Sequence, residues 1–154
     1  MWLLENVCIV LITILSMEVI SWFLHKYIFH GPLWFIHKTH HIRTLHPSLE
    51  LNDIFSCIFA TIAIAFIYIG CVSYSPSYFS IGIGMTLYGL IYFLIHDGFI
   101  HHRYTSWNKT TNIYLRQIRR AHQRHHVFPF KAPSEEFGLF LIIGQKYWRE
   151  IFIK

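Results

Sequence analysis

Ten of the twelve histidines in this 154-residue chain fall into one pattern that occurs twice. His25 and His30, then His37, His40 and His41, make the first copy; His96 and His101, then His122, His125 and His126, make the second. Each copy reads H-x4-H followed by H-x2-H-H. Imidazole suits zinc, copper, iron and nickel, and one divalent ion rarely takes more than about six ligands. Ten candidate ligands therefore imply two metal ions. No Asp or Glu recurs with the pattern, which separates it from the helical bundles that hold two irons with Glu-x-x-His motifs. His46 and His102 fall outside the repeat and are expected to be ordinary interfacial side chains.

The spacing says what must position these rings. On a helix His37, His40 and His41 stand one above another on one side, and His122, His125 and His126 do the same. An H-x4-H pair lies about 140° apart on an ideal helix. Those pairs fit either a two-metal cluster or a locally distorted helix better than one ion on one face.

The elements that carry them are read as membrane helices. At 54% hydrophobic and 14% charged, the chain is too apolar for an ordinary soluble domain, and 18% aromatic content excludes disorder. No Asp, Glu, Lys or Arg occurs from Ile54 to Ile95. One span needs about 20 residues, so this stretch reads as two, at about Ile54–Val72 and Tyr78–Ile95, turning at Ser73–Ser77. Trp2–Leu24 makes a third. Residues 139–143 are too short to span and are expected to be buried or interfacial, with Lys146, Tyr147, Trp148 and Arg149 at the headgroups. All thirteen Lys and Arg lie in 25–53 and 96–154, which assigns that side, and both histidine blocks, to the cytoplasm. The expectation is an all-α integral membrane bundle forming a single domain over 1–154. It has about three transmembrane helices, cytoplasmic histidine-bearing helices and an interfacial C-terminal segment.

Two carboxylates are candidates for a catalytic role. Glu18 lies within the first span, where a charge costs about 2.5–3.5 kcal/mol, and seven residues before His25 on nearly the same helical face. It orients a ligand, joins a proton path or hydrogen-bonds a neighbouring span, or else is an interfacial side chain with no role. Asp97 directly follows a ligand and is a natural acceptor for an imidazole N–H, or else a helix cap. Trp22, Phe23, Tyr92 and Phe93 lie above the first ligands and line a cleft or simply meet lipid. Along Asn112–His126, the stripe Tyr114, Ile118, Ala121, His122 and His125 should face inward. That leaves Arg116, Arg119, Arg120 and Arg124 for anionic headgroups or an acidic partner. Cys8, Cys57 and Cys71 show no thiolate-site spacing, and Gly82-Ile83-Gly84 lies inside a span rather than in a dinucleotide-binding turn. With no strong nucleic-acid motif, the basic charge needs only the membrane.

The same residues carry a family resemblance. Met17-Glu18, Trp22, His25-Lys26-Tyr27, His30-Gly31, Leu33-Trp34 and His37-x-x-His40-His41 resemble the first motif block of bacterial β-carotene hydroxylases. His96-Asp97-Gly98-x-x-His101 and Arg120-Ala121-His122-x-x-His125-His126 resemble the second. The similarity runs from about residue 17 to 130 and points to the fatty-acid-hydroxylase/sterol-desaturase superfamily of membrane non-haem diiron proteins. It implies hydroxylation of carotenoid β-ionone rings at carbon 3, from β-carotene through β-cryptoxanthin to zeaxanthin. Two Fe ions, O2 as co-substrate and electrons from an external ferredoxin-type donor are implied with it, in a bacterial inner membrane. Redox-silent zinc could not do this chemistry. No flavin, nicotinamide or haem motif is apparent, so the electrons must come from a separate protein. A sterol or fatty-acyl substrate, or a histidine-rich metal transporter, are the alternatives. A transporter would favour polar ligands midway through its spans rather than at one face.

Overall fold

The computed structural model describes residues 2–42, 49–103, 109–127 and 136–153. Every regular element among them is helical. In chain order they are α1 (Trp2–Leu24), a π-helical segment π1 (His25–Phe29), α2 (Trp34–His41), α3 (Asp53–Val72), α4 (Pro76–Tyr92), a second π-helical segment π2 (Phe93–Ile100), α5 (Ile113–Val127) and α6 (Gln145–Phe152). The chain divides into two compact units, residues 1–17 with 53–91 and residues 18–52 with 92–154.

The first unit holds the bulk of the apolar helices. Three helical stretches, Trp2–Phe29, Asp53–Val72 and Pro76–Ile100, are long and apolar enough to cross a membrane. Leu3, Leu4, Leu11, Ile12, Ile64 and Leu90 are exposed, as expected of side chains that meet lipid rather than water. The expected turn between α3 and α4 is present. Tyr74 is left-handed (φ 51°), the Ser75 N–H donates to the Gly70 carbonyl at 2.9 Å and that of Tyr74 to Cys71 at 3.4 Å. This is a Schellman stop with tyrosine where glycine is usual, followed by Pro76 at the first position of α4. Close packing depends on α4 glycines. A Cβ on Gly82 would meet Ile67 of α3 at 2.6 Å, and one on Gly84 would meet Thr13 of α1 at 2.7 Å.

The second unit holds the histidines. The inward stripe of α5 is as expected for Ile118, Ala121, His122 and His125, all buried, and Gln117 joins them. Ile118 and Ala121 pack with Ile143 and Tyr147, while Phe99, Ile100 and Leu139 form a neighbouring cluster. Three of the four arginines left for headgroups or an acidic partner also make contacts within the chain. The Arg119 guanidinium lies 3.8 Å over the Phe99 ring, Arg120 pairs with Glu150 at 2.8 Å, and Arg124 reaches Glu136 at 3.4 Å. Tyr147, expected at the headgroups, is instead buried and donates its hydroxyl to Glu136 at 3.1 Å. A buried carboxylate needs donors, and the Tyr147 hydroxyl and the exposed Lys146, 3.2 Å away, supply them to Glu136.

Candidate metal centre

Both H-x4-H pairs sit on π-helical turns, the distorted-helix option. In π1 the His30 N–H donates to the His25 carbonyl at 3.0 Å, and in π2 that of His101 donates to His96 at 2.9 Å. A ring closed five residues apart brings i and i+5 together, which an α-turn would splay. The imidazole centroids are 5.0 Å apart in the first pair and 4.6 Å in the second.

All ten repeat histidines come together, and they sort into two groups. His25, His30, His37, His41 and His125 form one; His40, His101, His122 and His126 form the other, each with one ring nitrogen per residue within 4.8 Å of the rest. The ring of His96 packs against the second group, 4.7 Å from His40, 4.6 Å from His101 and 4.7 Å from His122. The sorting follows the duplication with one exchange. Each copy's H-x4-H pair and the outer two histidines of its triplet stay together, while the middle histidines, His40 and His125, cross to the other copy's group. His41 and His126 stack between the groups at 4.3 Å.

Hydrogen bonding decides which nitrogen faces inward. A neutral imidazole has one N–H, and a carbonyl or carboxylate can only accept it. His25 donates from Nδ1 to the Phe137 carbonyl at 2.8 Å and His37 from Nδ1 to Asn52 Oδ1 at 2.7 Å. His40 donates to Glu50 at 3.1 Å and His96 to Asp97 at 2.7 Å, with Arg103 3.6 Å from the other oxygen of Asp97. Each of these rings therefore turns the bare lone pair of Nε2 inward. His25 Nε2 faces His37 Nε2 at 3.0 Å, two lone pairs that repel unless a cation lies between them. His122 Nε2 lies 2.9 Å from the Nε2 atoms of both His101 and His126. Nitrogens held about 2.1 Å from one ion, at right angles, would stand about 3 Å apart, so the spacing fits a shared metal. His125 is fully buried with neither ring nitrogen hydrogen-bonded, and His40 Nε2 is likewise buried and unbonded. The donor set fits a borderline transition metal.

The electrostatics agree. Burial above all, with neighbouring imidazoles, pushes His41 down to about 2 and His126 to about 3. Burial brings His37 to about 4 against the raising effect of Asn52. His40, His122 and His125 are lowered for the same first cause. Rings that stay neutral keep their lone pairs for a metal.

The other sequence candidates are placed as follows. Asp97 accepts from His96, as its position suggested. Glu18 is buried, and its Oε1 accepts backbone N–H groups of residues 139–142. Tyr92 stacks on His96 at 4.4 Å, Trp22 packs edge-on to Tyr27 beside Lys26, and Phe23 and Phe93 are exposed. His102 belongs to neither group and adopts φ 54°; His46 lies outside the described residues. Sequence reasoning missed Glu50, Asn52 and the Phe137 carbonyl. The signal for the first two was their place in the polar stretch between the His37 triplet and the next apolar run.

Comparison with known proteins bears on this arrangement. The family model described as fatty acid hydroxylase matches residues 10–148. The β-carotene hydroxylase of Pantoea ananas is 39% identical over 133 residues, covering 86% of this chain and 75% of the relative. That of Pseudescherichia vulneris is 40% identical, covering 88% and 76%. The chloroplastic β-carotene 3-hydroxylase 2 of Arabidopsis thaliana is 35% identical, covering 88% of this chain but 44% of the plant protein. No solved structure matches significantly. With identity sustained over so much of the bacterial sequences, and the family model running from the first span to α6, the chain belongs to the fatty acid hydroxylase family.

Proposed function

We propose that this protein is a membrane carotenoid hydroxylase that adds a hydroxyl group at carbon 3 of the β-ionone ring, taking β-carotene through β-cryptoxanthin to zeaxanthin. One oxygen atom of O2 enters the ring C–H bond and the other leaves as water, so each turnover consumes two electrons and two protons. A separate ferredoxin-type donor supplies the electrons. The observation that carries this reading is the pair of histidine groups with inward lone pairs, in a chain whose bacterial relatives bear the name β-carotene hydroxylase.

One iron is assigned to His25, His30, His37, His41 and His125, and the other to His40, His96, His101, His122 and His126. Paired irons, when bound, would pass the donor's electrons to O2, the chemistry needed for an oxidant able to attack an unactivated C–H bond. The chain's own part is positional. Phe137, Asn52, Glu50 and Asp97 take the outward N–H groups and fix the tautomer and direction of the rings they hold. Arg103 balances the charge of Asp97. Buried rings around the site exclude water, which protects a reactive oxidant from side reactions. The three apolar helices suit a substrate dissolved in the bilayer. The placement of all Lys and Arg supports three membrane crossings with the metal centre on the cytoplasmic side, in a chain read as a single domain.

Expression in cells that accumulate β-carotene, followed by pigment chromatography, tests the reading. Zeaxanthin and β-cryptoxanthin should appear with the intact chain and vanish with His125→Ala. A well-expressed, iron-loaded chain that leaves β-carotene untouched would refute the carotenoid assignment.

A further inference from the structure

The contacts of Glu18 lead further than a buried charge satisfied. Its Oε1 accepts the N–H groups of Leu139 (3.2 Å), Phe140 (2.8 Å), Leu141 (2.9 Å) and Ile142 (3.4 Å). Successive amides converging on one oxygen form an anion nest. The need is mutual: an irregular segment must find acceptors for its N–H groups, and a carboxylate in an apolar helix must find donors. The other side of the segment is tied too. Tyr114 donates to the Phe140 carbonyl at 2.9 Å and Trp148 to that of Leu141 at 3.0 Å. The Gly138 N–H closes onto the Ile142 carbonyl at 3.0 Å, and a Cβ on Gly138 would overlap that oxygen. The segment is thus fixed from both sides, with Phe137 at its start.

Phe137 belongs to the first histidine group. Its carbonyl takes the His25 Nδ1–H, and its buried ring lies 5.6 Å from His25, 5.2 Å from His30 and 4.9 Å from His125. The second group has its own outward partners in Glu50 and Asp97.

We infer that Glu18 is a positioning residue for one ion of the centre: through the 137–142 segment it holds the Phe137 carbonyl on His25 and so fixes the nitrogen that His25 presents. The inference rests on the proposed reading that this group binds iron. It makes a selective claim, because Glu18 should govern the ion of the first group and leave the other alone.

The test uses the full chain, purified from membranes and loaded with 57Fe, with iron counted per chain and Mössbauer spectra recorded. The unsubstituted chain should hold two irons. Glu18→Ala should bind one of them about 10–100-fold more weakly, with one quadrupole doublet altered and the other unchanged. Glu18→Gln keeps the shape and an acceptor oxygen, and should give the same selective change at the low end of that range. It carries the test should Glu18→Ala fail to fold. Adding Glu18→Ala to His25→Ala should produce no further change in the first doublet. Unaltered spectra in both Glu18 variants, equal change in both doublets, or additive effects with His25→Ala would overturn the inference. An unsubstituted chain without two iron sites would instead refute the metal-centre reading, and the inference would fall with it.

Discussion

His125 concentrates the logic of the centre. A fully buried imidazole with neither nitrogen hydrogen-bonded is accounted for by the proposed ligand role, because leaving such groups unpaired costs about 1–3 kcal/mol each. His125→Ala should therefore remove iron from the group built on His25, in the other copy of the repeat, and iron analysis of the purified variant checks it. Asp97→Asn and Glu50→Gln should each weaken iron binding about 10–100-fold, read by competition with a chelator, since each loses the charged acceptor that fixes a ring. The lowered histidines also set a pH dependence in the iron-free chain. Unfolded histidines take up protons near 6.5, whereas His37, His126 and His41 resist until about 4, 3 and 2. Between those values the unfolded state binds more protons. Stability is then fully present above about pH 6.5 and declines as pH falls through that window. Thermal unfolding of chelator-treated protein between pH 7 and pH 4 should show a falling midpoint. At this scale the grouping of the histidines was legible in the sequence, because metal chemistry demands particular side chains at particular spacings. The carbonyl of Phe137 was not, because every residue has one and only the folded path selects it.

At the scale of elements, helices read well and their irregularities did not. The spans follow from apolar runs and the α3–α4 turn from a polar cluster before Pro76. The π-turns could be foreseen only as one of two ways to reconcile H-x4-H with a shared site, since no residue type marks them. The contacts of the α5 arginines were not legible for a related reason. Periodicity gives a side chain's face, but Arg119 is captured by Phe99, Arg120 by Glu150 and Arg124 by Glu136, partners distant in sequence. Gly82 tests the packing of the hairpin. Gly82→Leu would drive a side chain into the Ile67 backbone, whose nitrogen lies 2.8 Å from the Cβ position. A cost of about 1–3 kcal/mol is expected, visible as a lower unfolding midpoint in detergent, while Gly89→Ala, which meets nothing within 4 Å, should leave it unchanged.

At the scale of the molecule, the duplicated pattern is interlocked rather than merely repeated. Each group takes its fifth imidazole or its bridging neighbour from the other copy, so neither copy alone should hold iron at the affinity of the whole. The proposed orientation has a direct check. Tyr74, in the α3–α4 turn, is 91% exposed. With the native cysteines replaced by serine, Tyr74→Cys should react in intact cells with a membrane-impermeant maleimide, and Lys109→Cys should react only after lysis. The reverse pattern would invert the topology.

The paired π-segments carry a consequence for the protein before it is loaded. A π-turn is rare because the backbone ordinarily gains more from the tighter α winding, and it persists where something else compensates. If bound iron supplies that compensation in π1 and π2, stripping it should let both segments wind more tightly and swing His30 and His101 away from their partners. The amide hydrogens of those two residues, now bonded to His25 and His96, would then exchange with solvent at rates that report how much metal the chain carries.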